Sequence, residues 1–307
     1  KILHDVSFVA EPGESIAIVG PTGAGKTTIV NLISRFYNID EGIVSIDGHS
    51  VMDVTLHSLR SQMGIMLQDS FVFSGTIADN IRYGKLDATN DEIIRVSRLL
   101  QADEFISKLP SGYETEVKER GGGLSQGQKQ LIAFARTLLA DPKILVLDEA
   151  TSSIDTSTEQ LLQRGINLLL KGRTSFIIAH RLSTIRSCTR IMYIDGGKIM
   201  EAGSHDELMA KQGYYYKLYM AQYRPTPEEV GGLAARGTPA FLYLLRGFPP
   251  PAQNGGGRFS APESPKKHLT AGKKTSTIDL YPVGVLQTVL RLSGRLDRQR
   301  VRKEIPQ

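Results

Sequence analysis

The stretch GPTGAGKT, Gly20 to Thr27, decides the fold of this chain. It satisfies the pattern GxxxxGK[ST], follows the apolar run SIAIV at 15–19, and precedes apolar residues at helical spacing in Lys26–Tyr37. Glycines let the backbone wrap around phosphates with its N–H groups pointing inward, and a helix N-terminus adds partial positive charge. We therefore predict a strand–loop–helix unit that binds nucleotide phosphates.

Two side chains of this loop are expected to act on the bound group. Lys26 neutralises β- and γ-phosphate charge, and Thr27 places its hydroxyl on Mg²⁺. The predicted ATP-binding residues of the loop are Gly20, Pro21, Thr22, Gly23, Ala24, Gly25, Lys26, Thr27 and Thr28.

A second apolar run, ILVL at 144–147, ends in two adjacent carboxylates, Asp148 and Glu149. A short continuous apolar run is typical of a strand buried on both faces. An acidic pair after a strand is often only a solvated loop, but a phosphate-binding loop in the same chain reverses that interpretation. We predict that Asp148 supports Mg²⁺ and that Glu149 orients or deprotonates an attacking water.

A third motif is LSQGQKQ at 124–130, which follows three glycines at 121–123. Ser125 and Gln128 have the spacing of a capping box, and an amphipathic helix follows them. A glycine-rich, serine-capped helix start can bind an anion. Alone, this stretch would indicate only a well-capped helix.

In this order the motifs resemble those of the ABC transporter family. LSQGQ is similar to the family's signature, usually LSGGQ, and it precedes the Asp-Glu strand as it does there. Gln68 in IMLQD matches the Q-loop glutamine, Asp155 in SSID the D-loop aspartate, and His180 in IIAHRLST the switch histidine. The resemblance covers about residues 1–223.

The resemblance implies a head-to-tail dimer, homomeric or heteromeric, with ATP clamped between the phosphate loop of one subunit and the signature helix of the other. Hydrolysis would remove the γ-phosphate contacts and open the dimer. The implied catalytic residues are Glu149, His180, Gln68 and Lys26. The implied Mg²⁺ ligands are Thr27, Gln68 and Asp148. The implied nucleotide contacts outside the phosphate loop are Ser125, Gly127, Gln128 and Asp155.

Two further stretches resemble the exporter branch, FVFSGTIADNI at 71–81 and TEVKERG at 115–121. They imply an exporter's transmembrane domain as partner. An importer ATPase is the alternative. A non-transport ABC ATPase is less favoured, because its long insertion would have to fit the 56 residues between Gln68 and Ser125. A binding module with a dead ATP site would lack Glu149 or Lys26.

The predicted fold is α/β, a P-loop NTPase core with a mostly parallel sheet, a partial antiparallel β subdomain and a helical signature subdomain at about 70–140. SFII at 175–178 predicts another buried strand, and IMYID at 191–195 with KIMEA at 198–202 predicts a hairpin around a Gly-Gly turn. Residues 1–224 form the predicted ATP-binding domain.

The rest of the chain, 225–307, has a different composition. It holds ten of the fourteen prolines and a net charge of +7, whereas residues 1–224 carry −2. The basic balance therefore gives no reason to expect nucleic acid as a partner of the main domain. We predict that most of this tail is disordered. It is unrelated sequence, a genuine extension, or a basic arm for membrane or nucleic acid.

The chain begins at Lys1 without Met, and no apolar stretch approaches the roughly 18 residues that span a bilayer. We expect a fragment separated from its transmembrane part and located at the cytoplasmic face of a membrane, the plasma (inner) membrane. The family's adenine-stacking aromatic residue would lie upstream of the first strand, which we expect to keep an unpaired edge. Gln126 departs from the usual signature glycine, and the single Cys188 indicates a reducing compartment.

Overall fold

The computed structural model describes residues 2–67, 71–118, 121–149, 156–223 and 288–292. Its strands are β1 (Val6–Ala10), β2 (Ser15–Val19), β3 (Gly42–Ile46), β4 (His49–Ser50), β5 (Met63–Met66), β6 (Gly75–Thr76), β7 (Glu116–Val117), β8 (Ile144–Asp148), β9 (Thr174–Ile178), β10 (Arg190–Asp195), β11 (Lys198–Gly203) and β12 (Thr288–Leu292). Its helices are α1 (Lys26–Ile33), α2 (Leu56–Ser61), α3 (Ile77–Arg82), α4 (Asn90–Leu99), α5 (Asp103–Ile106), α6 (Gln126–Ala140), α7 (Thr156–Leu170), α8 (Leu182–Ser187), α9 (His205–Lys211) and α10 (Tyr214–Gln222).

The central sheet has six strands in the order β11-β10-β2-β9-β8-β5. In this sheet the strands β10, β2, β9, β8 and β5 run parallel to one another, and β11 runs antiparallel to β10. All residues of β2 and β9 are buried, as expected for strands covered on both faces. The predicted α/β fold with a mostly parallel sheet is confirmed.

The hairpin of β10 and β11 also forms as predicted. Asp195 pairs with Lys198, which leaves Gly196 and Gly197 as a two-residue loop. Both glycines have positive φ, 51° and 72°. Tight hairpin turns of this kind need left-handed backbone, which glycine adopts without steric cost.

A second, antiparallel sheet has the order β1-β12-β3-β4. β12 comes from the tail and lies between β1 and β3, with Leu290 opposite Phe8 on one side and Val44 on the other. β1 pairs with β12 on one side and is the end strand of this sheet, so its other edge has no strand partner among the described residues, as expected. Thr288 and Val289 are β-branched residues that favour a strand, but the tail as a whole is rich in proline and has no clear strand pattern.

The helical part precedes β8 in the chain. Both α3 and α4 pack against α6, and capping boxes begin all three helices, at Thr76, Thr89 and Ser125. The helix predicted at Lys26–Tyr37 ends earlier, at Ile33. Within the described ranges, no helix is both long and apolar enough to cross a membrane.

Candidate functional site

The parallel sheet brings the phosphate loop, the acidic pair and His180 to one edge. Adjacent parallel strands β2, β9 and β8 end at Val19, Ile178 and Asp148, and the phosphate loop, His180 and Glu149 follow directly. The carboxyl ends of parallel strands are where ligands bind in open α/β sheets. The structure thus gathers the phosphate loop, the acidic pair and the switch segment, which are remote in sequence.

The phosphate loop has the conformation that its glycines permit. Gly20, Gly23 and Gly25 have φ of 141°, 81° and 103°. A Cβ atom at Gly20 would overlap the carbonyl group of Ile194, and one at Gly25 would lie 2.7 Å from Cδ2 of Leu3. No side chain caps α1, whose first turn is therefore suited to bind an anion.

Lys26 folds back onto its own loop. Its Nζ donates hydrogen bonds to the carbonyl oxygens of Gly20 and Pro21, at 2.8 Å and 2.9 Å. Burial lowers the pKa of Lys26, and the negative charge of Asp148 partly offsets this. These two carbonyl oxygens accept hydrogen bonds from the ammonium group of Lys26. A phosphate oxygen can replace either of them as the acceptor.

Asp148 and Thr27 offer the oxygen ligands that Mg²⁺ prefers. Burial raises the pKa of Asp148, while the nearby positive charges of His180 and Lys26 lower it. In the described part of the chain, no three His, Cys, Asp or Glu residues cluster as a metal site. Mg²⁺ is usually held by one or two protein oxygens together with substrate phosphates and water.

Glu149 is buried, with 5 % of its surface exposed. Its Oε2 accepts hydrogen bonds from the backbone N–H groups of His180 and Arg181, at 3.1 Å and 3.2 Å. Its Oε1 accepts one from the Thr184 hydroxyl at 3.0 Å and lies 3.4 Å from Nε of Arg181. Burial raises the pKa of Glu149, and the hydrogen bonds from His180, Thr184 and Arg181 partly offset this.

The sequence reasoning missed Arg181 and Thr184. Both belong to the segment HRLST quoted for His180, but only its histidine matched a known motif. Thr184 lies in the first turn of α8 with its side chain wholly buried. The sequence holds no local signal for these contacts, because Glu149 lies more than thirty residues earlier in the chain.

The start of α6 confirms the predicted capping box. Ser125 Oγ accepts a hydrogen bond from the backbone N–H of Gln128 at 3.2 Å, and Ser125 N–H donates to Gln128 Oε1 at 2.9 Å. Gly127 is buried, whereas Ser125 and Gln126 are exposed. Among the described residues, no hydrogen bond joins this helix start to Lys26, Asp148 or Glu149.

Two predicted site residues, Gln68 and Asp155, lie outside the described residues. Their roles stay predictions. Cys188 is buried beside this site, and burial raises the pKa of its thiol to about 12. It is a structural residue rather than a reactive one.

Comparison with known proteins identifies the family. A family profile described as ABC transporter matches residues 3–152. An uncharacterised ABC transporter ATP-binding protein of Bacillus subtilis is 57% identical over 223 residues, 73% of this chain and 37% of that protein. A fatty acid ABC transporter ATP-binding/permease protein of Mycobacterium tuberculosis is 53% identical over 220 residues, 72% of this chain and 35% of that protein.

A lipid A-core flippase and a solved structure are also similar. An ATP-dependent lipid A-core flippase of Legionella pneumophila is 48% identical over 222 residues, 72% of this chain and 38% of that protein. The structure of a bacterial Atm1-family ABC exporter with ATP bound is 44% identical, with a TM-score of 0.68 over 73% of this chain and 39% of that one. The chain thus spans 35–39% of the length of these proteins.

The profile match includes the phosphate loop, the signature at Ser125–Gln128 and the acidic pair. The relatives match over 220 to 223 residues of this chain. The chain therefore belongs to the ABC transporter family and contains its ATP-binding domain.

Proposed function

We propose that this chain binds ATP with Mg²⁺, hydrolyses it, and drives an ABC exporter from the cytoplasmic face of the plasma (inner) membrane. The observation that carries the proposal is the convergence of Lys26, Asp148, Glu149 and the His180 segment at one edge of the parallel sheet. The matched relatives include a flippase and ATP-binding/permease proteins. None of these names favours an importer or a non-transport ATPase.

Each residue of the site has one role in the proposed reaction. The phosphate loop and Lys26 hold the phosphates, and Thr27, Asp148 and Gln68 hold Mg²⁺. When bound, Mg²⁺ neutralises charge that develops on the phosphoryl oxygens. Glu149 orients the attacking water and accepts its proton, and the exposed His180 contacts the γ-phosphate.

The site is completed by a second ATP-binding domain, in a homodimer or a heterodimer. Ser125 lies exposed at the start of the 15-residue helix α6 and has no hydrogen bond to the catalytic groups of its own subunit in the described residues. We infer that Ser125, Gly127 and Gln128 contact the ATP bound by the facing subunit, with Asp155 at the same interface. Two incomplete anion sites then form one complete site on closure.

The proposed membrane partner fits an exposed aromatic cluster formed by Phe71, Phe73 and Tyr83. Phe73 stacks on Tyr83 with ring centroids 4.5 Å apart, and Phe71 meets Phe73 edge-on at 4.9 Å. All three side chains are exposed, Tyr83 by 55 %. Grouped exposed aromatic rings are typical of protein interfaces.

Arg136 links this aromatic cluster to the signature helix. It lies on α6, 5.3 Å from the Phe73 ring centroid, and donates hydrogen bonds to the carbonyl oxygens of Phe71 and Asn80. Arg136 lies eleven positions after Ser125, about 16 Å further along the helix. Movement of a partner on the cluster is therefore transmitted to the signature as a rigid-body displacement of α6.

ATP-dependent dimerisation tests the proposal directly. We expect the Glu149→Gln chain to dimerise with ATP and Mg²⁺ but not with ADP, because blocked hydrolysis preserves the γ-phosphate contacts. Adding Ser125→Ala should weaken the dimer about 100-fold or more, since each of the two sites loses a hydrogen bond to a charged group. Light scattering over a range of protein concentrations measures both effects.

Ser204→Ala is the matched control, because Ser204 caps α9 with the same capping box as Ser125. Both substitutions cost about 1 kcal/mol of helix stability, but only Ser125 is placed at the proposed interface. If Ser125→Ala and Ser204→Ala weakened the dimer equally, the effect of Ser125→Ala would be explained by the loss of helix capping alone. Binding of ATP without any dimer would overturn the symmetric arrangement and point to a partner with a different signature.

The aromatic cluster leads to a second test, in a protein that carries both the ATP-binding and permease segments. Tyr83→Asp should lower transport at least about tenfold, because a charged group in an interface core is poorly tolerated. ATP-dependent dimerisation of the isolated chain should not change. Leu99→Asp, at an exposed apolar residue of α4, is the control. Normal transport by Tyr83→Asp would place the membrane contact elsewhere.

A further inference from the structure

The carboxylate of Glu149 is fully engaged by the short segment from His180 to Thr184. Two backbone N–H groups donate to Oε2, and the Thr184 hydroxyl and the Arg181 guanidinium approach Oε1. Three hydrogen bonds and one ion pair therefore surround a carboxylate that offers about four lone-pair sites. In this orientation protein donors engage both carboxylate oxygens and compete with water, so Glu149 has to leave part of the arrangement to act as a base.

The Thr184 hydroxyl has a second hydrogen-bond acceptor within reach. Its Oγ1 lies 3.0 Å from Glu149 Oε1 and 3.3 Å from Gln163 Oε1 on α7. A hydroxyl has one proton and donates one good hydrogen bond at a time. Because the Thr184 side chain is wholly buried, water cannot replace a lost partner.

We propose that Thr184 is a positioning residue that holds Glu149 in a resting orientation and turns its hydroxyl to Gln163 when Glu149 swings toward the attacking water. The proposal rests on the proposed role of Glu149 as the base. The alternative acceptor matters energetically, since a buried donor left without a partner is costly. Gln163 removes that cost and makes the departure of Glu149 reversible.

Gln163 is itself held in place for this role. Its Oε1 accepts a hydrogen bond from the Ser183 hydroxyl at 2.9 Å, which fixes the amide beside α8. Thr184 is fixed from the other side, because its carbonyl oxygen accepts a hydrogen bond from Sγ of Cys188 at 3.2 Å. The exchange therefore needs only rotation of the Thr184 hydroxyl and no movement of either helix.

Steady-state ATP hydrolysis by the full chain tests the proposal, with kcat and KM measured separately. Thr184→Val keeps the shape of the side chain but removes the donor, so the resting orientation loses one bond to a charged group. We expect kcat to rise about tenfold, with KM for ATP unchanged because Thr184 does not touch nucleotide. Thr184→Ser keeps the hydroxyl and should restore the kcat of the unmodified chain.

Gln163→Met gives the opposite expected sign. It removes the second acceptor while keeping side-chain length, so Thr184 is left unpaired whenever Glu149 departs. We expect kcat to fall about tenfold. In the double variant with Thr184→Val this loss should disappear, because no hydroxyl then needs the acceptor.

Each outcome decides the proposal. A kcat that falls in Thr184→Val and recovers in Thr184→Ser would show that the hydroxyl serves the reactive orientation, and an unchanged kcat in Thr184→Val would show that it positions nothing. Either would overturn the proposal while leaving the proposed function intact. An unmodified chain that binds but does not hydrolyse ATP would overturn both. If Thr184→Val fails to fold, two variants of Gln163 decide the question. Gln163→Met should lower kcat, whereas Gln163→Glu, which keeps an acceptor, should not.

Discussion

Glu149→Gln should reduce the rate of ATP hydrolysis by roughly 100- to 10,000-fold, the usual contribution of a positioned general base. The amide has nearly the shape of the carboxylate but does not accept a proton from water at neutral pH. ATP binding should persist, because Lys26 and the phosphate loop are untouched. The measurement is single-turnover hydrolysis at saturating ATP and Mg²⁺, beside a binding titration of the same variant.

Glu159→Gln is the matched control for this substitution. Glu159 lies on α7 and also approaches Arg181, at 3.6 Å, but its side chain is about half exposed. An exposed ion pair of this kind contributes little, so the control should hydrolyse ATP at nearly the normal rate. Hydrolysis by Glu149→Gln at more than a tenth of that rate would exclude Glu149 as the base.

The sequence predicts the site well where a motif and a strand end coincide. The phosphate loop follows β2, and the acidic pair ends β8, so the parallel sheet alone brings Lys26 close to Asp148. Apolar runs buried on both faces predict such strands from local pattern. Because parallel strands have all their carboxyl ends at one edge, the convergence follows from the fold class.

Side-chain orientation is harder to predict, as Glu149 shows. Its hydrogen bonds come from a segment more than thirty residues later, and local pattern carries no information about such contacts. The motif identifies a carboxylate suited to act on water. It does not indicate that the switch segment engages both carboxylate oxygens in the nucleotide-free chain.

The early end of α1 has a similar cause. Arg35 adopts left-handed backbone with φ of 51°, where glycine is the usual residue. The guanidinium of Arg35 donates to the carbonyl oxygen of Val54 at 2.7 Å, a contact that stabilises this turn. Phe36 consequently leaves the helix face and is 44 % exposed, with the Arg60 guanidinium 4.8 Å from its ring. Helical spacing alone extends the predicted helix too far.

Lys26→Met should lower affinity for ATP about 30-fold or more, the effect of losing a hydrogen bond between charged groups. In the nucleotide-free chain Nζ donates to the carbonyl oxygens of Gly20 and Pro21. Those bonds must be exchanged for bonds to phosphate oxygens, and methionine can make neither. Fluorescent ATP-analogue titration measures the affinity, and hydrolysis should fall to background at ATP concentrations that saturate the unmodified chain.

The same substitution should leave the melting temperature unchanged or raise it, which separates loss of function from loss of fold. Burial lowers the pKa of Lys26, so the charged form is less favourable here than in water. Methionine removes that cost and keeps the apolar stem, while the carbonyls it frees lie close to solvent. Lys143→Met, at an exposed lysine 3.8 Å from Asp141, should alter neither binding nor stability by more than a few tenths of a kcal/mol. Normal affinity in a folded Lys26→Met chain would show that the loop binds phosphate through its backbone alone.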